Sequence, residues 1–232
     1  MRSALASPVV KNRHSLDRAS AFSGSCHGSG MNRSGLFPLL ACVMPVLVWS
    51  MWRPYDWPTW GMETAPVFIG FAGLFVAARR GWSFSTFALV CIALHMILLI
   101  VGGHYTYAKV PLGEWAKDWF GFHRNHYDRL GHFAQGFVPA VLFREVMIRN
   151  RVIARRGWRE FLTVCFCMAV SAVYELLEWC AALVSAQASE AFLGTQGDPW
   201  DTQEDMFTCL IGALVAVVLT RFFQDRSIQR RS

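Results

Sequence analysis

FSTFALVCIALHMILLIVGG, residues 84–103, is an apolar stretch that contains no acidic residue, no lysine and no arginine. A helix of about 20 such residues is long enough to cross the ~30 Å hydrocarbon layer of a bilayer. The stretch therefore predicts a membrane-spanning helix, and it sets the class of protein within which the rest of the chain is interpreted.

Five further apolar runs flank this stretch, separated by short clusters of charged residues. They predict an all-α, polytopic transmembrane helical bundle of about six spans. The predicted spans are 36–52, 62–78, 84–103, 128–148, 161–186 and 206–223. Residues 1–35 are predicted to be a disordered basic cytoplasmic tail, 36–223 the membrane domain, and 224–232 a second cytoplasmic tail.

Composition agrees with this class and excludes others. Of 232 residues, 54% are apolar and only 16% are charged, whereas soluble domains carry about 25% charged residues. The net charge of +6 does not indicate nucleic-acid binding, because the basic residues flank apolar runs instead of forming a patch interleaved with aromatic residues. The seven cysteines form no CxxC pair, so neither a disulfide framework nor a zinc site is predicted.

The distribution of arginine and lysine predicts the orientation. Basic residues gather before the first span, between spans two and three, between spans four and five, and after span six. By the positive-inside rule these segments, and both chain termini, are expected in the cytoplasm. The third loop is the exception, with Lys109, Lys117, Arg124 and Arg129, but the arginines between spans four and five outweigh it. In the opposite third loop, Trp115, Trp119 and Phe120 predict a short segment lying in the membrane interface.

Ionisable side chains inside spans are costly, about 2.5–3.5 kcal/mol each on insertion scales, so each one suggests a function. Spans four to six bring several of them to one depth in the outer half of the membrane, whereas spans one and two are expected to contribute almost nothing polar below their outer ends. Glu175 and Glu178, three residues apart on one helix face, are typical of a divalent-cation site. The predicted catalytic residues are Asp128, His132, Glu175, Glu178 and Asp205, the first four being possible metal ligands. The alternative is that these groups only hydrogen-bond to one another as a structural network.

A second set of polar residues surrounds this predicted centre. Arg124 and Arg129 are suited to holding a lipid phosphate, although ordinary headgroup contact is an equal alternative. The predicted substrate-binding residues are His104, Arg124, His126, Arg129 and Asp201. His95 is interpreted as a helix-packing hydrogen bonder, and Arg144 and Glu145 as side chains that reach the cytoplasmic interface.

Four motifs carry a resemblance to a known family. They are His104-Tyr105-Thr106-Tyr107 with Val110-Pro111; Arg124-Asn125-His126-Tyr127-Asp128-Arg129 through His132-Phe133; Glu175 to Glu178-Trp179; and Leu193-Gly194-Thr195-Gln196-Gly197-Asp198 through Trp200-Asp201-Thr202-Gln203 to Asp205-Met206. The chain resembles the YjdF-like family of bacterial inner-membrane proteins over most of residues 36–223. This resemblance implies a multi-pass protein of the bacterial inner membrane and supplies no activity. A fainter similarity in layout is to VanZ-like membrane proteins.

Three functions fit these observations. The first is an enzyme whose site opens to the periplasmic side, where a lipid or lipid-linked substrate is hydrolysed or otherwise modified. The second is a proton- or cation-coupled transporter that uses the same carboxylates. The third is a non-catalytic structural membrane protein in which polar residues lock helix packing. A cavity beside the converging side chains would favour the first over the third.

Overall fold

The computed structural model describes residues 36–184 and 196–229. The described residues form seven α-helices and one short 3₁₀ turn, Tyr107–Lys109. The helices are α1 (Leu36–Ser50), α2 (Trp57–Arg79), α3 (Thr86–Tyr105), α4 (Pro111–Phe120), α5 (Tyr127–Arg149), α6 (Arg156–Val184) and α7 (Asp201–Gln229). The predicted tail 1–35 lies outside the described residues, as do the Leu193–Thr195 part of the last motif and the end of the predicted fifth span.

Local sequence signals account for several helix boundaries. The Asp56 carboxylate accepts a hydrogen bond from the Thr59 N–H at 2.8 Å, which caps α2. Ser85 caps α3 through its hydroxyl in the same way. Helix α4 starts at Pro111 and ends at Gly121, whose φ of +69° is left-handed and favours glycine.

The prediction of a helical membrane protein is confirmed. Among the described residues, α2, α3, α6 and α7 have the length and hydropathy that a membrane span needs, while α1 is apolar but shorter. The four long helices also expose large apolar side chains outward, as lipid contact requires. Helix α5 is not among them, because its sequence contains polar residues such as Asp128, His132 and Gln135.

Helix α5 is the centre of the bundle, since it packs against α3, α6 and α7. Its contact with α7 is the closest, because small residues face each other there. Gly136 on α5 lies against the Cys209 carbonyl of α7, and Gly212 on α7 lies against the Phe133 carbonyl of α5. Such close backbone approach is a common solution for helices that associate inside a membrane. It fixes the depth of α7 relative to α5.

The bundle has two polar ends. The starts of α2, α5 and α7 meet the ends of α3 and α6 at what we call the site end. The start of α4 also lies there, and α4 exposes Trp115, Trp119 and Phe120, in line with the interfacial segment expected from the sequence.

At the opposite end, which we call the arginine end, buried charges form a second network. Arg144 and Glu145 are fully buried. Glu145 accepts hydrogen bonds from the backbone N–H and the hydroxyl of Ser85, each at 2.7 Å, and pairs with Arg149 at 2.7 Å. The Arg144 guanidinium lies 3.8 Å from the Glu160 carboxylate. The expectation that Arg144 and Glu145 reach the interface is therefore wrong, because buried partners hold them inside.

Candidate functional site

Three carboxylates from three helices converge on one imidazole at the site end. The Nε2 atom of His132 lies 3.6 Å from Oδ1 of Asp128, 3.6 Å from Oε1 of Glu175 and 3.9 Å from Oδ1 of Asp205. We call Asp128, His132, Glu175 and Asp205 the His132 cluster. Asp128 and His132 share one face of α5 because they are four residues apart, and the close α5–α7 crossing brings Asp205 beside them.

Part of this cluster is unusually poor in hydrogen bonds. Nδ1 of His132 and Oε1 of Glu175 are buried, and neither has a hydrogen-bond partner among the described residues. Buried polar atoms in folded proteins nearly always have a partner, so such atoms need an explanation. One ligand atom each from Asp128, His132 and Asp205 lie within 4.8 Å of one another. Carboxylate and imidazole ligands at this spacing are compatible with a divalent cation.

The group that could hold a metal differs from the predicted one. Asp205 of α7 belongs to it and Glu178 does not; Glu178 lines a cavity that Asp128 and His132 also line. Glu175 stays beside His132 but outside the three-residue group. The structure thus brings Asp128, Glu175 and Asp205 together around His132, while Glu178 shares the cavity lining with Asp128 and His132.

A cavity of about 340 Å³ adjoins the cluster. Its walls come from α2, α3, α5 and α6 with Tyr107, and they are mostly apolar. The ionisable and amide side chains that line it are Glu63, His95, Asp128, His132, Gln135 and Glu178. Cavities of this size that are apolar with a few convergent polar groups are the usual form of small-molecule sites.

Glu63 is a site residue that the sequence reasoning missed. It lies in the second turn of α2, is only 4% exposed, and accepts a hydrogen bond from the Tyr174 hydroxyl at 2.9 Å. Helix α3 can approach it because Gly103 has no side chain there. Glu63 lies at the outer end of predicted span two, so the expectation that this span contributes almost nothing polar below its outer end does not extend to it. A signal was present, since Glu63 is an acidic residue inside an apolar run.

His95 also has a different environment from the one expected. It lines the cavity, and its buried Nε2 has no hydrogen-bond partner in the part of the chain that the structure describes. On α5, the buried Oε1 of Gln135 likewise has no hydrogen-bond partner among the described residues. The interpretation of His95 as a helix-packing hydrogen bonder is therefore not supported at this nitrogen.

Arg124 and Arg129 form an ion-pair network with the start of α7. Arg124 lies 2.7 Å from the Asp201 carboxylate and 3.0 Å from that of Asp198. Arg129 lies 3.0 Å from Asp201, 2.8 Å from Glu204, and in direct contact with Asp205. These contacts offer a structural role for both arginines and for Asp201, while their predicted contact with substrate stays a prediction.

This network affects the titration of groups outside the spans. The pKa of Asp198 is held below its usual value, first by the hydrogen bond from the Trp200 N–H and then by Arg124. The pKa of His126 is also lowered, mainly by burial and then by the nearby charges of Arg124 and Arg129. Both groups therefore favour their deprotonated forms at the site end.

All five predicted substrate-binding residues lie outside the cavity lining, and two of them, His104 and His126, have other contacts. His104 joins α3 to α1, because its Nδ1 lies 2.9 Å from the Ser50 carbonyl and its ring packs on Trp49. His126 immediately precedes α5 and packs edge-on against Phe122. The structure does not bring these two imidazoles to the His132 cluster, and their predicted role stays a prediction.

Asn125 ties the surface segments of the site end together. Its buried amide donates hydrogen bonds to the Val110 carbonyl and to Glu114, each at 3.0 Å, and accepts one from the Tyr127 N–H. Its backbone forms two 2.9 Å hydrogen bonds with the Gln196 side chain. The segment before α7 is thereby held against the start of α5.

Comparison with known proteins gives one family and one curated relative. Residues 36–226 match the family described as "Predicted membrane protein (DUF2238)". The chain is 46% identical over 185 residues to the inner membrane protein YjdF of Escherichia coli (strain K12), covering 80% of this chain and 88% of that protein. No solved structure matches the chain significantly.

Proposed function

The chain belongs to the DUF2238 family of membrane proteins, and on that premise we propose that it is an inner-membrane metalloenzyme acting on a lipid or lipid-linked substrate. In this proposal a divalent cation is bound by Asp128, His132 and Asp205, and the substrate occupies the adjoining cavity. The inner-membrane location is proposed from the name of the E. coli relative. The single observation that carries the activity is the convergence of three ligand-type side chains beside a cavity.

The charge of the cluster supports a cation. Three carboxylates surround one imidazole, and Arg129 is the nearby positive group, already in contact with Asp205. A divalent ion would offset the remaining negative charge, which is costly to keep in a buried site. One histidine with carboxylates suits borderline or hard divalent ions such as Zn²⁺ or Mn²⁺.

The roles of the residues follow from their positions. The cation would lower the pKa of a bound water, and Glu175, beside His132 but outside the ligand group, is placed to accept that water's proton. In a hydrolysis, the water oxygen bonds to the substrate carbon or phosphorus and the bond to the leaving oxygen breaks. The proton held by Glu175 then passes to that oxygen, so charge and atoms balance.

We further propose that six helices cross the membrane, with both termini in the cytoplasm and the site end facing the periplasm. They are α1, α2, α3, α5, α6 and α7. One support is that α1 and α5 pack against helices of span-like hydropathy. The other is the presence of arginines at the opposite end. Alkaline phosphatase fused after Gly197 is expected to be active. An inactive fusion at this position would invert the orientation.

A cation-coupled transporter is the second candidate. The buried Arg144 and Glu145 favour it, because they carry polar groups into the other half of the bundle. The cavity wall nearest to that half, however, consists of apolar residues such as Val138 and Leu142. A continuous polar path is therefore not evident among the described residues, and the enzyme ranks first. A purely structural role ranks last, because a cavity adjoins the converging polar side chains.

The first test is metal content. The full chain, purified without chelators and equilibrated with Zn²⁺ or Mn²⁺, is expected to hold about one ion per chain by elemental analysis. His132→Ala and Asp205→Asn are expected to weaken binding about tenfold or more, since each removes a ligand. Glu204→Gln is the matched control, because Glu204 is an exposed acid next to Asp205 that contacts Arg129 and not His132. Absence of metal from the unaltered chain, or equal loss in the control, would refute the metal site.

The second test separates enzyme from transporter. The metal-loaded chain is incubated with a total bacterial lipid extract, and new products are sought by mass spectrometry. In parallel, proteoliposomes are assayed for flux of the same cation. Products that disappear in Glu175→Gln support the enzyme. Flux without products supports the transporter.

A further inference from the structure

The cavity beside the His132 cluster is lined by acids and by no strong base among the described residues. Its carboxylates come from three different helices, namely Glu63 on α2, Asp128 on α5 and Glu178 on α6. Among the described residues that line it there is no lysine or arginine. The remaining lining is mostly apolar, with the aromatic rings of Tyr107 and Tyr174 beside the acids. A ligand that fits this lining needs a positive head and a hydrocarbon body.

The cavity reaches the outer surface of the bundle between α2 and α6. Ile69, in the middle of α2, both lines the cavity and is 71% exposed. Val170 of α6 lines the facing wall. Helix α2 packs on α3, and α6 packs on α5 and α7, and residues of both α2 and α6 line the cavity. At the site end they are joined by the hydrogen bond from Tyr174 to Glu63.

The opening is directed at lipid and not at water. Ile69 lies near the centre of a span-like helix, at the depth where acyl chains surround the protein. A molecule that entered there would pass its apolar part along Ile69 and Val170 and bring its head toward Glu63 and Glu178. The geometry thus allows an amphiphile to enter sideways from the bilayer.

We infer that this cavity takes from the membrane an amphiphile whose head carries a positively charged amine and whose tail is hydrocarbon. The inference names the substrate class of the proposed function, and it rests on that function only in treating this cavity as the substrate site. Carboxylates pair with the ammonium group, and the two tyrosine rings add cation–π attraction.

An anionic head is disfavoured by the same arrangement. The nearby arginines, Arg124 and Arg129, are paired with acids at the start of α7 and do not line the cavity. A phosphate or sulfate without a second, positive group would face Glu63 and Glu178 across a medium of low dielectric constant, where like charges repel strongly.

The test uses three photoreactive probes of equal chain length with different heads. A dodecyl amine, a dodecyl alcohol and a dodecyl sulfate, each with a diazirine on the chain, are added to the full chain in micelles of uncharged dodecyl maltoside. Cross-linked peptides are then mapped by mass spectrometry. The amine is expected to label α2 and α6 around Ile69 and Val170 about tenfold more than the alcohol, and the sulfate less than both.

Variants locate the charge that selects the head. Glu63→Gln and Glu178→Gln keep the shape of the side chains and are expected to reduce the labelling by the amine to that by the alcohol. Glu204→Gln, which alters an acid outside the cavity, is expected to keep the preference. Helix content and the unfolding midpoint of each variant confirm that it is folded, and the comparison of the three probes on the unaltered chain needs no variant.

The outcomes separate this inference from the metal proposal. Equal labelling by amine and alcohol, preference for the sulfate, or labelling away from α2 and α6 would each overturn the inference. Labelling is repeated on chain stripped of metal by a chelator, while metal content is measured independently. If the chain binds metal but shows no preference for the amine, the proposed function stands and the inference is refuted. If the chain prefers the amine but binds no metal, the inference stands and the proposed function is refuted.

Discussion

Replacing Gly136 by alanine is expected to disturb both the stability of the bundle and the His132 cluster. A Cβ atom at this position would lie 1.9 Å from the Cys209 carbonyl oxygen, where ordinary contact begins at 3.4 Å. Helices α5 and α7 would have to separate by about 1.5 Å to admit it. Overpacking of this kind costs about 1–3 kcal/mol, and here the obstacle is backbone, which cannot rotate away.

The same separation acts on the site one turn away. His132 precedes Gly136 by four residues on α5, and Asp205 precedes Cys209 by four on α7. Their distance of 3.9 Å is therefore expected to grow by a similar amount. Metal affinity at the proposed site is therefore expected to fall together with stability.

The assay is unfolding by sodium dodecyl sulfate in mixed micelles, followed by circular dichroism, with metal content measured on the same samples. Gly73→Ala is the matched control, because its new methyl group would meet nothing within 4 Å. That change is expected to be neutral or stabilising by about 0.5–1 kcal/mol, as glycine is unfavourable inside a helix. The reasoning is refuted if Gly136→Ala unfolds at the same detergent fraction as Gly73→Ala.

Three further predictions concern the helix ends. Asn125→Ala removes three hydrogen bonds of a buried amide and is expected to cost about 1–3 kcal/mol, measured by the same unfolding assay with exposed Asp118→Ala as control. Ser85→Ala removes the cap of α3 and one donor to Glu145, so a loss of about 1 kcal/mol is expected; an unchanged midpoint would contradict the cap. Because the pKa of Asp198 is lowered in the folded chain, its stabilising effect is complete above the unfolded value of about 3.9 and is lost as pH falls below it. Between pH 5 and pH 3 the unfolding midpoint of the unaltered chain is expected to fall, and that of Asp198→Asn is expected to fall less. An equal fall in both chains would contradict the stabilising effect of Asp198.

Much of the helical architecture could be predicted because it depends on short-range signals. An apolar run of sufficient length becomes a helix in lipid, since each backbone N–H and C=O must find its partner within the segment. Ser85 and Gly121 mark helix ends through local hydrogen bonding and local φ values. The spacing of Asp128 and His132 also puts them on one face of α5 whatever surrounds that helix.

The identity of the partners across helices needed the tertiary structure. Glu178 and Asp205 were equally eligible neighbours of His132 by sequence, and only the depth and rotation of α7 against α5 select Asp205. The backbone contacts of Gly136 and Gly212 fix that depth. Glu63 likewise becomes a cavity residue only because α2 turns it toward Tyr174 on α6.

The amino-acid sequence by itself therefore determined that this is a helical membrane protein and which residues share a face of each helix. The tertiary structure alone decided which faces meet, that a cavity remains between α2 and α6, and that the arginines at the site end pair with acids of α7. The physical reason is the sequence range of the interactions. Hydrogen bonding and burial within one helix depend on residues a turn or two away. The rotation and depth of one helix against another depend on side-chain packing summed over the whole contact, which no local pattern encodes.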